Sequence, residues 1–321
     1  MRSLKKFSIV LLAILGISLL LYGCTGYDDN LQKVGMLVEH SVHDNAWSKE
    51  GYQGLRTINE ELDTEVYYKE GIQTKQEVIE AVEEFANNGV NLVFGHSNTY
   101  GKYFVEIAPS YPEMHFVYFN GGEFGEDVTS LNFNSHAMGF FAGMVAGKMT
   151  DTDEVAVIGA FEWQPEIEGF YEGVKYQNPT ANVHIRYVNS WNDTKKAMRL
   201  YEQMRDENAD VFYPTGDLYS AQVLKEVSED GLYGIGYVTD QSSIDEEQVL
   251  TSTVQHVSDL YVRITEKFNE SKLRGGVLTF DFQDGVISMG EFSPDIPEDF
   301  QEKMNGAIES YEETDLLPNE Q

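Results

Sequence analysis

Strand-like runs begin at two sets of positions with nearly the same spacing, and this repetition constrains the fold more than any other feature of the chain. Val34, Glu65, Asn91 and His115 open the first set, at gaps of 31, 26 and 24 residues. Val155, Val183, Asp210 and Tyr233 open the second, at gaps of 28, 27 and 23. Runs such as Val34-Gly35-Met36-Leu37-Val38 are short and apolar, the pattern of strands covered on both faces. Amphipathic helical stretches lie between them. Val78, Ile79, Val82, Phe85 and Ala86 share one face before the third run, and Ala197, Leu200, Tyr201 and Met204 do so at the matching place in the second set. Strands alternating with such helices make βαβ units and parallel sheets. The expected fold is therefore α/β, with two similar lobes in series.

The segment between the sets, Ser135 to Met149, reads as a helix with Gly139, Gly143 and Gly147 at every fourth place. Those glycines clear one face for close packing. A further helix is expected from His256 to Asn269, then two strand-like runs around Phe280 and Ile287. The acidic tail beyond Pro297 reads as helical, and the last eight residues are expected to fray.

Arg2, Lys5 and Lys6 precede a wholly uncharged run from Phe7 to Tyr22. As a helix that run spans about 24 Å, short of the roughly 30 Å hydrocarbon core. This is the layout of a signal peptide covering residues 1–23. Leu21-Tyr22-Gly23-Cys24 resembles a bacterial lipobox and contains the chain's single cysteine. Cys24 is thus the expected lipidation site, with residues 24–30 as a tether and the protein anchored on the extracytoplasmic face of the cell membrane. The formal charge of −32 excludes a counterion-releasing nucleic-acid surface. Charged residues are only 24% of the chain, so this is a globular composition and not a disordered acidic tail.

Catalytic and cofactor motifs do not complete themselves. Gly95-His96-Ser97-Asn98-Thr99 lacks the closing glycine of a nucleophile elbow. Gly147-Lys148-Met149-Thr150 lacks the hydroxyl residue a phosphate loop needs after its lysine. His40 and His43 have no third ligand at a telling spacing. No enzyme activity, cofactor or metal is expected. Ligands of parallel α/β sheets bind at the carboxyl ends of strands. The residues there are Asp44, Asn45 and Trp47 in the first set, then His96, Ser97 and Asn120. The second set offers Trp163 and Gln164, then Gly216, Asp217 and Tyr219, then Asp240 and Gln241. Aromatic rings among polar groups suit a ring-shaped small molecule held between the lobes.

Three stretches carry a family resemblance: Asp44-Asn45-Ala46-Trp47-Ser48-Lys49-Glu50-Gly51-Tyr52-Gln53-Gly54-Leu55, Gly236-Tyr237-Val238-Thr239-Asp240-Gln241 and Leu250-Thr251-Ser252-Thr253-Val254-Gln255. They resemble the basic membrane protein family of bacterial lipoproteins, nucleoside-binding receptors of ABC importers. The resemblance implies a type I periplasmic-binding-protein fold with a hinge and an interdomain cleft. It implies that residues 31–127 plus 256–281 form one lobe, and 128–255 plus 282–321 the other. It places Trp47 on the base, with Val238 and Gln255 at ribose, Asn120 at the base edge, and Asp44, Asp240 and Gln241 as retained polar anchors. An Asp, a Lys and an Asp of the family pattern are here Val238, Gln255 and Asn120. A hydrogen bond to a charged group contributes about 1.5–3 kcal/mol, so two lost contacts weaken ordinary nucleosides by roughly two to four decades. Gly71, the run Phe161 to Pro165 and Gly236 to Gln241 are most similar to members that act as positive regulators of competence genes. The implied partners are a small nucleoside-like or other ring-bearing ligand and either an ABC permease or a membrane signalling protein.

Overall fold

The computed structural model describes residues 31–321. The expected signal peptide (1–23), the tether (24–30) and Cys24 lie outside the described residues. The chain runs β1 (Lys33–Leu37), α1 (Ala46–Leu62), β2 (Glu65–Lys69), α2 (Lys75–Asn87), β3 (Leu92–Gly95), α3 (Tyr100–Ile107), β4 (His115–Phe119) and β5 (Val128–Phe133). It continues α4 (Ser135–Met149), β6 (Glu154–Gly159), α5 (Pro165–Gln177), β7 (Asn182–Tyr187), α6 (Thr194–Asp206), β8 (Val211–Thr215), α7 (Ser220–Glu229), β9 (Tyr233–Val238) and β10 (Val249–Gln255). It ends α8 (Val257–Asn269), β11 (Gly276–Phe280), β12 (Ile287–Met289) and α9 (Glu298–Thr314). All eight expected strands form, each opening within one residue of its expected position.

The strands make two six-stranded sheets, ordered β11-β5-β4-β3-β1-β2 and β12-β10-β9-β8-β6-β7. Every pairing is parallel except that of β12 with β10 at one edge. This is the two-lobed type I periplasmic-binding-protein fold. The chain crosses between lobes at β5–α4, β10–α8 and β11–β12. β5 pairs with β4 and β11, so residues 128–133 sit in the first sheet and the boundary expected at 127/128 falls one strand early. The crossings are tied together. Asn134 donates from its backbone to Phe280 O at 2.8 Å and from Nδ2 to Asp281 at 2.5 Å, while Tyr311 Oη donates to the same carboxylate at 2.6 Å.

Local chemistry fixes the helix ends. Asn45 caps α1 by accepting from Ser48 N at 2.7 Å, Thr74 and Glu77 form a capping box on α2, and Asp193 caps α6. The α4 glycines bring that helix against α5 backbone to backbone. A Cβ on Gly143 would lie 2.1 Å from Phe170 O, and one on Gly173 would lie 1.9 Å from Phe140 O. The carboxyl end departs from expectation. Leu317 is buried and Gln321 donates to Ser310 Oγ and Leu316 O, so these residues pack back on α9 rather than fray. Among the described residues no helix is long and apolar enough to cross a membrane.

Candidate functional site

A cavity of about 330 Å³ lies between the lobes, where the carboxyl ends of both sheets face each other. From the first lobe Asn45, Trp47, His96, Ser97 and Asn120 line it. The second lobe contributes Trp163, Gln164, Asp217 and Val238, with Gln255 at the β10 crossing. Five other residues expected near the site are occupied elsewhere. Asp44 closes a local turn with Ser41 N, and Asp240 accepts from Ser242 N and Glu291 N. Gly216 packs on the Tyr219 ring, where a Cβ would come within 1.9 Å, and Tyr219 Oη donates to Ile158 O beneath the sheet. Gln241 is buried between Tyr237 N and Ser220 Oγ.

Trp47 stands at the start of α1 with one ring face on His96, centroids 4.6 Å apart and planes within 15°. Its indole donates to His96 O at 3.2 Å. The His96 tautomer follows from its partners. Trp47 O can only accept, so Nε2 carries the hydrogen and donates over 2.7 Å, which leaves Nδ1 to accept from Tyr261 Oη at 3.0 Å. Both nitrogens are therefore engaged, and burial lowers the imidazole pKa to about 4. His96 braces the tryptophan as a neutral ring. Gly51, one turn into α1, makes the room: a Cβ there would sit 2.5 Å from His96 Cε1.

The opposite wall is a second aromatic group. Phe161 stacks on Trp163 at 5.4 Å, and Trp191 meets both rings edge-on. Trp163 is 55% exposed, an unusual state for an indole and one that leaves a ring free at the cleft. Gln164, behind it, accepts from Phe161 N and donates to Thr215 O, so it shapes the loop.

Two carboxyl groups sit deep. Glu166, near the start of α5, is buried and accepts from Tyr237 Oη at 2.9 Å and Gln164 Nε2 at 2.8 Å. Burial raises its pKa. Asp217 reaches across the cleft and accepts from Trp47 N at 3.3 Å, an otherwise open donor at the α1 amino terminus. Burial pushes its pKa up to about 6. Sequence reasoning did not single out Glu166, Trp191, Asn192, Asn132 or Tyr237 as site residues, yet all line the cavity. One signal was available for Trp191: the chain has three tryptophans, and all three face this cleft.

Two lobes around a polar and aromatic cleft define the class of solute-binding proteins. The chain belongs to the family of ABC transporter substrate-binding proteins described as PnrA-like, whose model matches residues 31–320. It is 44% identical over 310 residues to the transcriptional activator protein med of Bacillus subtilis, covering 96% of this chain and 98% of that one. It is similar to the crystal structure of a transcriptional activator of the comK gene from Bacillus halodurans, with a TM-score of 0.85 and 45% identity, covering 89% of this chain and 99% of that one. A purine-binding protein of Brucella abortus is 20% identical over 297 residues, covering 90% of this chain and 84% of the relative. The family is one of solute-binding proteins rather than enzymes.

Proposed function

We propose that this chain is an extracytoplasmic receptor, tethered through a lipid on Cys24, whose lobes close on one small ring-bearing molecule. One observation carries the reading: tryptophans from both lobes, Trp47 and Trp163, line a single cavity among convergent amide side chains. Stacking on both walls suits a flat ring, and amides such as Asn45, Asn120 and Gln255 fix its orientation. The purine-binding relative supports a heterocycle as the ligand. In this reading the protein has no catalytic role, and a membrane protein reads its closed state.

A second reading concerns what closure does. Two relatives at 44% and 45% identity are transcriptional activators, which favours a regulatory output over import. The charge of −32 makes any such output indirect, through a membrane partner rather than DNA.

Native mass spectrometry of the mature chain purified from its own host tests the binding reading. A bound small molecule lost in Trp47→Ala supports it, whereas an empty chain that also gives no heat with any nucleoside counts against it. A transcriptional reporter in the same Trp47→Ala strain separates the outputs: a lost response favours regulation, and lost uptake with normal reporter activity favours import. For the anchor, Cys24→Ser should move the protein from the membrane fraction to the soluble one; unchanged fractionation removes the lipid from the proposal.

A further inference from the structure

The charges around the cavity are one-sided. Glu39, Glu166 and Asp217 line it, while none of the described lining residues is a lysine or an arginine. Two histidines are present, but His96 is neutral with both nitrogens engaged and His40 is exposed. At the place where the family resemblance carries a lysine, this chain has Gln255. Asn192 lines the same cavity, and its Oδ1 is a buried acceptor without a hydrogen-bond partner. The site thus has acceptors in excess and tryptophan faces on both walls. A neutral ligand leaves the carboxyl groups without a counter-charge, and an anion is repelled by them.

We propose that the cleft takes an organic cation: a flat or compact ring bearing a positively charged nitrogen, set against the tryptophans and facing Glu166, Asp217 and Asn192. The inference rests on the ring-binding reading above and adds the charge of the ligand. Cations lie favourably over indole faces, most strongly when desolvated. A charged N–H donor also satisfies carboxylate and amide oxygens together. A metal ion does not fit the same features, because among the described residues no three ligating side chains are grouped to hold one.

Calorimetry on the mature chain at pH 7.5 tests this with three probes that share an indole and differ in charge: tryptamine, tryptophol and indole-3-acetate. Tryptamine should bind at least tenfold more tightly than tryptophol, and indole-3-acetate should give no heat. Two variants show whether the cleft is responsible. Asp217→Asn keeps an oxygen for Trp47 N–H but removes the charge, and Gln255→Lys adds the missing cation. Each should cut tryptamine affinity at least fivefold while moving tryptophol less than twofold, and if one fails to fold the other still decides. Equal binding of tryptamine and tryptophol, or a preference for the acid, overturns the inference and leaves the ring-binding reading standing. A tryptamine preference that survives both variants reflects the acidity of the whole chain and also overturns it. If none of the three binds and native mass spectrometry finds no ligand, the ring-binding reading itself falls, and this inference with it.

Discussion

Asn120 and Val238 occupy the same place in the two lobes, at the end of the fourth strand of each set, and both turn the backbone into the left-handed region, with φ of 57° and 70°. Asparagine adopts that conformation readily, but a β-branched residue there is an outlier. Both residues line the cleft. The bend therefore belongs to the site's architecture, and valine tolerates it at a local cost of about 1–3 kcal/mol. Aspartate suits the bend better and supplies the acceptor that the family pattern has at this position. Val238→Asp combined with Gln255→Lys should raise nucleoside affinity at least tenfold by calorimetry. No gain would mean that the pocket has been reshaped beyond these two positions.

The strand onsets of the two sets were legible because central strands such as β1, β3 and β4 are apolar runs and covering helices such as α2 and α6 keep a 3.6-residue stripe. β5 was not, because Thr129, Ser130 and Asn132 interrupt its apolar pattern. These polar groups are satisfied inside the fold: Thr129 Oγ1 donates to Arg274 O and Ser130 Oγ donates to Gly121 O. Their partners lie on other segments, so no local pattern announces them. The site divides the same way. Trp47, Asn120 and Asp217 follow strand ends, where open α/β sheets place ligands. Glu166 and Tyr237 face the cleft through the α4–α5 approach and the β9 register, which arise only when the lobes assemble.

Asp217 carries a stability consequence with a definite sign. Its folded-state pKa of about 6 lies above the unfolded value near 4, because burial disfavours the carboxylate. The group therefore favours the folded state most at low pH, and that contribution is lost as pH rises from about 4 through 6. Its surroundings are the Trp47 amide from α1, with Tyr237 and Glu166 on its own lobe. Asp217→Asn should melt higher than the parent at pH 7.5, and the difference should shrink towards pH 4. An equal difference at both pH values would contradict the assigned ionisation.

The histidines act in the opposite sense. His96 and His115 are buried, which lowers both pKa values to about 4, below the unfolded value near 6.5. The unfolded chain binds protons that the folded lobe does not, so each histidine's contribution is present above about pH 6.5 and is lost as pH falls towards 4. By NMR, neither ring should titrate between pH 5 and 8. Tyr261→Phe removes the donor to His96 Nδ1 and leaves a buried acceptor unmet, at a cost of about 1–3 kcal/mol. Because that bond braces the Trp47 stack, ring-ligand affinity should fall with it. A variant that unfolds at the parent's urea midpoint would show that the bond contributes nothing.

One substitution made at two glycines should have opposite effects. Gly143 lies on α4 against α5, and an added methyl would meet Phe170 O at 2.1 Å, a backbone atom that cannot rotate away. Gly306 lies within α9, and a Cβ there meets nothing within 4 Å. Gly143→Ala must push two helices apart, at a cost of ~3 kcal/mol. That displacement also shifts Glu166, since the same helix pair brings Glu166 O within 2.0 Å of a Cβ built on Gly139. Gly306→Ala gains helix propensity without new contacts, and should stabilise by up to ~1 kcal/mol. Urea unfolding should therefore move the two midpoints in opposite directions, with ligand binding weakened only in Gly143→Ala. If both variants lose stability equally, the close α4–α5 packing is not what holds the glycine at position 143.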